Sequence, residues 1–196
     1  MATPLRTRAV AAASLAGALA AVALASAPAA TAATRTTGNP VCFTGGDGVC
    51  TPIGNGKSVH LVGTATGFAG VYFNGKSTQG KAPADVDYSF DYIGQQNGGA
   101  PRFSIPIDEN GDGVVGDGEG YAFLDANGCG LVGSGTVSTE SATCTVFHEA
   151  AVYPNWDAFA AAAAAEGWTV AKKDVPFIIS DVPSDVVVSD IAFVVD

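Results

Sequence analysis

Basic residues and histidines are scarce in this chain of 196 residues. Lysine and arginine together number 9, against 19 aspartate and glutamate residues, so the formal net charge is −10. An acidic surface repels phosphate backbones and anionic lipids, which counts against nucleic-acid and membrane-surface partners. An acidic surface favours cations, and it also keeps a protein soluble.

Common sequence signatures of hydrolases are also missing. The two histidines, His60 and His148, do not belong to an H-E-x-x-H zinc motif, and no G-x-S-x-G nucleophile motif occurs. The sequence therefore assigns no catalytic residue. A serine triad is defined by the geometry of its residues and not by their order in the sequence. A small secreted serine esterase acting on lipid or sterol esters is therefore one hypothesis for the function, as the alternative to a binding protein. Its candidate residues are Ser134 or Ser138, His148, and Asp125 or Glu149.

A long apolar run opens the chain. Arg6 and Arg8 precede a segment rich in alanine, leucine and valine, and Ala30-Thr31-Ala32 has the small-x-small pattern of a cleavage site. Residues 1–33 are therefore predicted to be a secretory signal peptide, because the run is short for a retained membrane anchor. Its removal takes away two arginines and no acid, which leaves 7 basic and 19 acidic residues and a formal charge of −12.

The mature chain is short enough for one domain. We expect a flexible tail over residues 34–40, followed by a single β domain over residues 41–196. We also expect an extracellular monomer that makes no membrane contact after the signal peptide is removed.

Four cysteines in an exported chain are typical of two disulfides, for which three connectivities are possible. We favour Cys42–Cys50 and Cys129–Cys144, because each pair closes a short loop that contains glycine turn residues. The cysteines and histidines are spaced too widely for a zinc site.

Short strands separated by glycine-rich turns dominate the rest of the chain. The clearest strand covers residues 85–93, where apolar and acidic or small polar side chains alternate. The apolar residues 186–195 are predicted to form a central, buried strand. Asn74-Gly75 indicates a hairpin turn after the strand that ends at Phe73.

One helix is predicted, over about residues 155–166. Asn155 is a typical N-cap, an alanine run follows, and Gly167 ends the pattern. About eight to ten short strands and one short helix predict a mainly β fold, a β-sandwich or jelly roll.

An acidic, glycine-rich segment between two predicted strands is the strongest functional motif. Residues 108–119 form a twelve-residue frame with oxygen-bearing groups at positions 1, 3, 5, 7 and 12 and Gly113 at the sharp turn. This spacing can wrap one Ca2+ ion, which is the cofactor we predict. The predicted ligands are Asp108, Asn110, Asp112, the backbone carbonyl of Val114, and Glu119. The alternative is a solvated turn between two strands.

These twelve residues resemble an EF-hand loop and, more loosely, the calcium loops of dockerin-like proteins. The flanks differ from that family, since Pro106 lies in the preceding segment and residues 120–125 have the pattern of a strand. The resemblance therefore implies the ion site. It does not imply a helix–loop–helix fold or a calcium-sensing role.

Aromatic residues on the predicted strands provide a possible binding surface. We predict a secreted calcium-binding β-sandwich module, of unknown biological role, that binds an extracellular glycan, a cell-wall component or a small ligand. Exposed, coplanar tyrosines would support this hypothesis. The five tyrosines are Tyr72, Tyr88, Tyr92, Tyr121 and Tyr153.

Overall fold

The computed structural model describes residues 40–54, 56–73, 76–116 and 120–195. These residues belong to the second of two structural units, Ala32–Asp196. The first unit, Met1–Thr31, lies outside the described residues, as do the predicted signal peptide and the predicted tail except Pro40. No helix in the described ranges is both long enough and apolar enough to span a membrane.

Short strands account for most of the regular structure. In chain order the elements are β1 (Val41–Gly45), β2 (Val49–Ile53), β3 (Ser58–Gly63), β4 (Phe68–Tyr72), β5 (Val86–Gln95), β6 (Arg102–Asp108), β7 (Tyr121–Asp125), β8 (Ser134–Ser138), β9 (Val146–His148), β10 (Ala151–Tyr153), α1 (Trp156–Glu166), β11 (Thr169–Val170), β12 (Phe177–Ser180) and β13 (Ser184–Val195). A short 3-10 helix, Pro83–Asp85, precedes β5.

The strands form two antiparallel sheets. The larger sheet has the order β1-β4-β12-β6-β7-β9-β10, with β11 paired to β6, and the smaller has the order β2-β3-β13-β5-β8. One face of each sheet is lined by fully buried side chains, and the two buried faces pack together as one core. Aromatic rings cross the interface, since the ring of Phe103 on β6 lies 5.0 Å from that of Phe90 and 5.7 Å from that of Tyr88, both on β5. The predicted β-sandwich is confirmed.

Alternation fixes which side of each strand enters the core. Val86, Tyr88, Phe90 and Tyr92 on β5 are all buried, whereas the residues between them are partly exposed. This confirms the strand predicted over residues 85–93. β13 lies between β3 and β5 in the centre of the smaller sheet, as predicted, although its first half also alternates and leaves one side partly exposed.

The predicted helix is confirmed as α1. The side chain of Asn155 accepts a hydrogen bond from the backbone nitrogen of Ala158 at 2.9 Å, and Gly167 adopts a left-handed conformation with φ of 77°. Trp156 and Phe159 are buried at 3% and 0% exposure. The indole nitrogen of Trp156 donates to the carbonyl of Pro83 at 3.0 Å, which ties the helix to the start of β5.

Both predicted disulfides form, Cys42–Cys50 and Cys129–Cys144. The sequence predicted no strands around the first disulfide, but the structure has two there. Cys42 lies on β1 in the larger sheet and Cys50 lies on β2 in the smaller sheet, so the disulfide joins the two layers. β1 and β2 are edge strands, and their glycine-rich connection hid them in the sequence. They are among the reasons why the described residues contain more strands than the eight to ten predicted.

The predicted turn residues Asn74-Gly75 lie outside the described ranges. In the part of the chain that is described, β4 pairs with β1 and β12, and no strand lies between residues 76 and 85. Both partners of β4 therefore come from more distant parts of the chain and not from the residues that follow it.

Candidate functional site

The acidic loop, defined as residues 108–119, connects two neighbouring strands of the larger sheet. Asp108 ends β6 and Tyr121 begins β7, and the backbone nitrogen of Ile107 donates to the carbonyl of Gly120 at 3.2 Å. Residues 117–119 lie outside the described ranges. The structure therefore places four of the five predicted calcium ligands and leaves Glu119 undescribed.

Side-chain oxygens of the acidic loop bind its own backbone. The carboxylate of Asp108 accepts hydrogen bonds from Gly111 N at 2.7 Å and from Gly113 N at 2.9 Å. Asn110 Oδ1 accepts from Asp112 N at 2.8 Å, and Asp112 Oδ1 accepts from Val114 N at 2.9 Å. Short polar side chains of this kind stabilise turns by such bonds. The three predicted side-chain ligands that the structure describes, Asp108, Asn110 and Asp112, therefore lie in one tightly turned segment.

Residues before β12 hold the acidic loop against the sheet. The backbone nitrogen of Lys173 donates to the carbonyl of Gly113 at 2.9 Å, and Asp174 Oδ2 accepts from the backbone nitrogen of Val115 at 2.9 Å. Asp108 is 2% exposed. The loop is thus packed on the larger sheet close to the start of β12.

Among the described residues, no three His, Cys, Asp or Glu side chains are grouped as metal ligands. Of the predicted ligands, only Asp108 and Asp112 belong to those residue types and to the described ranges. Asn110 and the Val114 carbonyl are neutral oxygen donors, and Glu119 is not described. The calcium site stays a prediction.

His148 lies in the core and not in an open cleft. Its ring packs between Phe159 and Trp168, with centroid distances of 5.4 and 5.1 Å. Its Nε2 atom lies 3.4 Å from Glu109 Oε1 but has no hydrogen-bond partner. Burial lowers the pKa of His148, and the charge of Glu149 partly offsets this effect. The neutral imidazole is therefore the favoured form.

The residues proposed for a serine triad are not assembled. Ser134 and Ser138 lie on β8 in the smaller sheet, whereas His148 lies on β9 in the larger sheet. Asp125 Oδ1 accepts a hydrogen bond from the backbone nitrogen of Gly128 at 2.6 Å, and Glu149 is exposed in the turn after β9. Within the described ranges, no hydrogen bond joins a serine hydroxyl to either imidazole, and His60 Nε2 instead contacts Asp185 Oδ1 at 2.7 Å. The geometry gives the hydrolase hypothesis no support.

The outer side of the larger sheet carries a continuous group of aromatic rings, here called the aromatic face. Phe43–Phe177, Tyr72–Phe177 and Tyr121–Phe177 ring centroids are separated by 5.6, 5.7 and 5.5 Å. Phe68 and Tyr72 are 40% and 37% exposed, and the other rings are partly exposed. The aromatic face consists of Phe43, Phe68, Tyr72, Tyr121, Phe123 and Phe177.

Glycines beneath the rings make room for this arrangement. Gly70 on β4 pairs with Phe43 on β1, and Gly45 on β1 pairs with Phe68 on β4. A side-chain carbon at Gly70 would collide with the ring of Phe43, and one at Gly45 would collide with the ring of Phe68. Each ring therefore covers the backbone of the neighbouring strand and exposes its other side to solvent.

One end of the aromatic face is polar. The guanidinium carbon of Arg102 lies 4.7 Å from the centroid of the Phe123 ring, and Arg102 forms an ion pair with Asp181. Ser104 lies on the same side of β6, paired in register with Phe177 on one neighbouring strand and Phe123 on the other. We call Arg102, Ser104 and Asp181 the polar corner.

Only part of the aromatic face was anticipated from the sequence. Of the five tyrosines considered, Tyr72 and Tyr121 belong to it, whereas Tyr88 and Tyr92 are buried at 1% and 4% exposure. The expected coplanar arrangement is not found, since the rings of Tyr72 and Tyr121 are tilted by 66° and 68° to the Phe177 ring between them. Tyr153 packs against Phe159 elsewhere, with a centroid distance of 5.4 Å. The four phenylalanines were missed, although alternation within residues 177–180 could have placed Phe177 opposite the buried Ile178.

No protein-family model and no curated protein sequence matches the chain. Among solved structures, it is similar to a family 11 carbohydrate-binding module from Clostridium thermocellum, in complex with a β-1,3-1,4-mixed-linked tetrasaccharide. The sequence identity is 14%, the TM-score is 0.32, and the alignment covers 80% of this chain and 88% of that chain. A similarity this low does not establish a shared ligand.

Proposed function

We propose that this protein is an exported β-sandwich module that binds an extracellular glycan on its aromatic face and holds a calcium ion in its acidic loop. The observation that carries the proposal is the grouping of six aromatic rings on one sheet face, where Phe68 and Tyr72 are exposed and the other four are partly exposed. Soluble proteins rarely leave a large apolar patch uncovered unless it binds something.

Sugar rings suit such a surface, because they present C–H groups on their faces and hydroxyl groups around their edges. The C–H faces pack on aromatic rings, and the hydroxyl groups stay hydrated or bind polar side chains. The aromatic face crosses β1, β4, β12, β6 and β7. Adjacent strands lie about 4.8 Å apart, so these five strands span roughly 19 Å. This length accommodates several linked sugar rings, which points to an oligomeric or polymeric glycan.

Two disulfides in one small domain support an extracellular location, since such bonds persist in oxidising compartments. The disulfide between β1 and β2 also fixes the edge strand that contributes Phe43. A rigid surface loses little entropy when a ligand binds, so this constraint favours binding.

The proposed calcium ion has a stabilising role. Asp108, Asn110 and Asp112 already turn within one short segment, and calcium is bound by oxygen ligands of this type. Because carboxylates repel one another, a bound cation should make the loop more rigid and strengthen its packing against residues 173–174. The ion would thus support the β6–β7 end of the sheet, next to Tyr121.

A binding panel tests the glycan proposal. The mature protein, residues 34–196, is mixed separately with insoluble cellulose, chitin, xylan and β-1,3-glucan, and the unbound fraction is measured. We expect retention on at least one polysaccharide, and loss of that retention when Tyr72 and Phe177 are replaced by alanine. The Ile93→Ala variant is the control, since Ile93 is a 63% exposed apolar residue on the opposite sheet. Absence of binding to all four materials, or equal retention of all variants, would contradict the proposal.

A further inference from the structure

The polar corner combines an ion pair with an unusual set of unpaired atoms. Ser104 Oγ, Arg102 Nε and Asp181 Oδ1 are buried and have no hydrogen-bond partner. Ser104 is 0% exposed, although it faces away from the core that Phe103 and Ile105 enter. Buried polar atoms are nearly always hydrogen-bonded, so three unpaired atoms at one place require an explanation.

We propose that the polar corner is the specificity subsite of the aromatic face and that it binds a neutral sugar ring bearing adjacent hydroxyl groups. This inference rests on the proposed glycan-binding function. A hydroxyl group both donates and accepts a hydrogen bond. One hydroxyl donates to Asp181 Oδ1, its neighbour accepts from Arg102 Nε, and Ser104 Oγ binds the sugar edge that enters between Phe177 and Phe123.

Two of the three residues of the polar corner reach the surface. The side chains of Arg102 and Asp181 are 26% and 28% exposed. Ser104 lies between Phe177 and Phe123 in register and is 0% exposed, so a sugar reaches its hydroxyl only if one of these side chains changes rotamer. The unpaired oxygen of Asp181 must turn outward in the same way.

Charge selects a neutral ligand. The Arg102 guanidinium is already paired with the Asp181 carboxylate, so no net positive charge is free to bind a sugar carboxylate. The whole chain is acidic, with a net charge of −10, and repels anionic polymers. Uronic-acid glycans should therefore bind more weakly than neutral glycans.

Calorimetric titration of the mature protein with four soluble probes tests this assignment. The probes are the hexasaccharides of β-1,4-glucan, β-1,4-xylan and chitin, and an oligogalacturonate of the same length. We expect at least one neutral hexasaccharide to bind, and to bind more tightly than oligogalacturonate. Tighter binding of oligogalacturonate would overturn the subsite assignment and leave the glycan-binding function intact.

Two variants separate recognition from folding. Asp181→Ala should weaken binding of the neutral hexasaccharide about tenfold and strengthen binding of oligogalacturonate, because it frees the charge of Arg102. Ser104→Ala should weaken binding about threefold without lowering thermal stability, since it removes a hydroxyl that has no partner in the protein. If these residues had a purely structural role, the Asp181→Ala substitution would not shift binding from the neutral hexasaccharide toward oligogalacturonate.

The outcomes distinguish the two proposals. If Asp181→Ala and Ser104→Ala bind all probes as the wild type does, while Tyr72→Ala binds poorly, the subsite assignment is wrong and the glycan-binding function stands. If the wild type binds none of the four probes and none of the insoluble polysaccharides, the glycan-binding function fails, and the subsite assignment fails with it.

Discussion

The outer faces of the two sheets differ sharply, although their inner faces are built in the same way. The outer face of the smaller sheet mixes aliphatic side chains, such as Ile93 at 63% exposure, with hydroxyl and carboxylate groups that pair with one another. Thr136 Oγ1 donates to Asp91 Oδ1 at 2.6 Å, and Thr139 Oγ1 donates to Asp87 Oδ1 at 3.0 Å. The larger sheet presents the aromatic face. Among the described residues, only the larger sheet groups aromatic rings on its outer side, so this contrast locates the proposed binding surface.

The contrast extends to the acidic residues of the two sheets. Asp91 lies on the outer face of the smaller sheet and serves as the acceptor for a neighbouring threonine. Asp108 and Asp112 lie in a turn at the end of the larger sheet, where their oxygens organise the loop backbone. The acid on the sheet face thus pairs with a side chain, whereas those in the loop bind backbone nitrogens of their own turn.

The largest effect is expected from calcium. At a calcium concentration several hundred times its dissociation constant, the ion should raise the free energy of unfolding by about 3 to 4 kcal/mol. Thermal melts with calcium and with EDTA measure this. Asp112→Asn should abolish most of the difference, and the matched control Asp91→Asn should keep it. Identical melts with calcium and EDTA would contradict the calcium proposal.

The next effect concerns the rings themselves. Replacing Tyr72 and Phe177 together by alanine should weaken binding of the tightest neutral hexasaccharide by about 100-fold, or about 2.7 kcal/mol, because both rings lie at the centre of the aromatic face. Calorimetric titration gives the constants. Ile93→Ala with Val187→Ala removes apolar surface from the other sheet and should leave affinity unchanged. Equal losses in both double variants would remove the distinction between the two faces.

A smaller effect is expected from the glycine beneath Phe43. Gly70→Ala should displace that ring and weaken binding by about threefold, or about 0.7 kcal/mol. In a Phe43→Ala background the same substitution should have no further effect on affinity. A double-mutant cycle measured by titration provides the test. Additive losses would show that Gly70 acts through something other than the ring.

Each sheet contains one histidine, and only His148 on the larger sheet is buried. Its burial predicts that the stability of the fold depends on pH. Burial of His148 lowers its pKa below 6.5, so below that pH the unfolded state binds more protons than the folded state. The free energy of unfolding should therefore be highest above pH 6.5. It should decrease as the pH falls from 6.5 through the folded-state pKa of His148. Urea unfolding in EDTA measures the slope, which His148→Gln should reduce. An unchanged slope in that variant would assign the pH dependence to other groups.

Local sequence patterns identified much of the scaffold. The alternation of residues 85–93 specified β5 and its buried side, and Asn155 and Gly167 marked the two ends of α1. The short loops between the cysteines led to both disulfide pairs. Each of these signals lies within a few neighbouring residues, where turn chemistry and periodicity act.

The aromatic face could not be read in this way, because it depends on pairing between distant segments. Phe43, Tyr72 and Phe177 meet only because β4 lies between β1 and β12. β1 was hidden by the glycines in and after it, and one of these, Gly45, allows the ring of Phe68 to cover the β1 backbone. The acidic loop is the opposite case, since its spacing is local and was visible at once.

The most direct test of the central claim is the location of the bound glycan. Backbone amide NMR shifts are followed while the tightest neutral hexasaccharide is added to the mature protein. Binding on the aromatic face predicts that the largest shifts fall on β4, β12 and β7, with little change on β8 and the outer side of β13. The largest shifts on the smaller sheet or around α1, at saturating hexasaccharide, would contradict it.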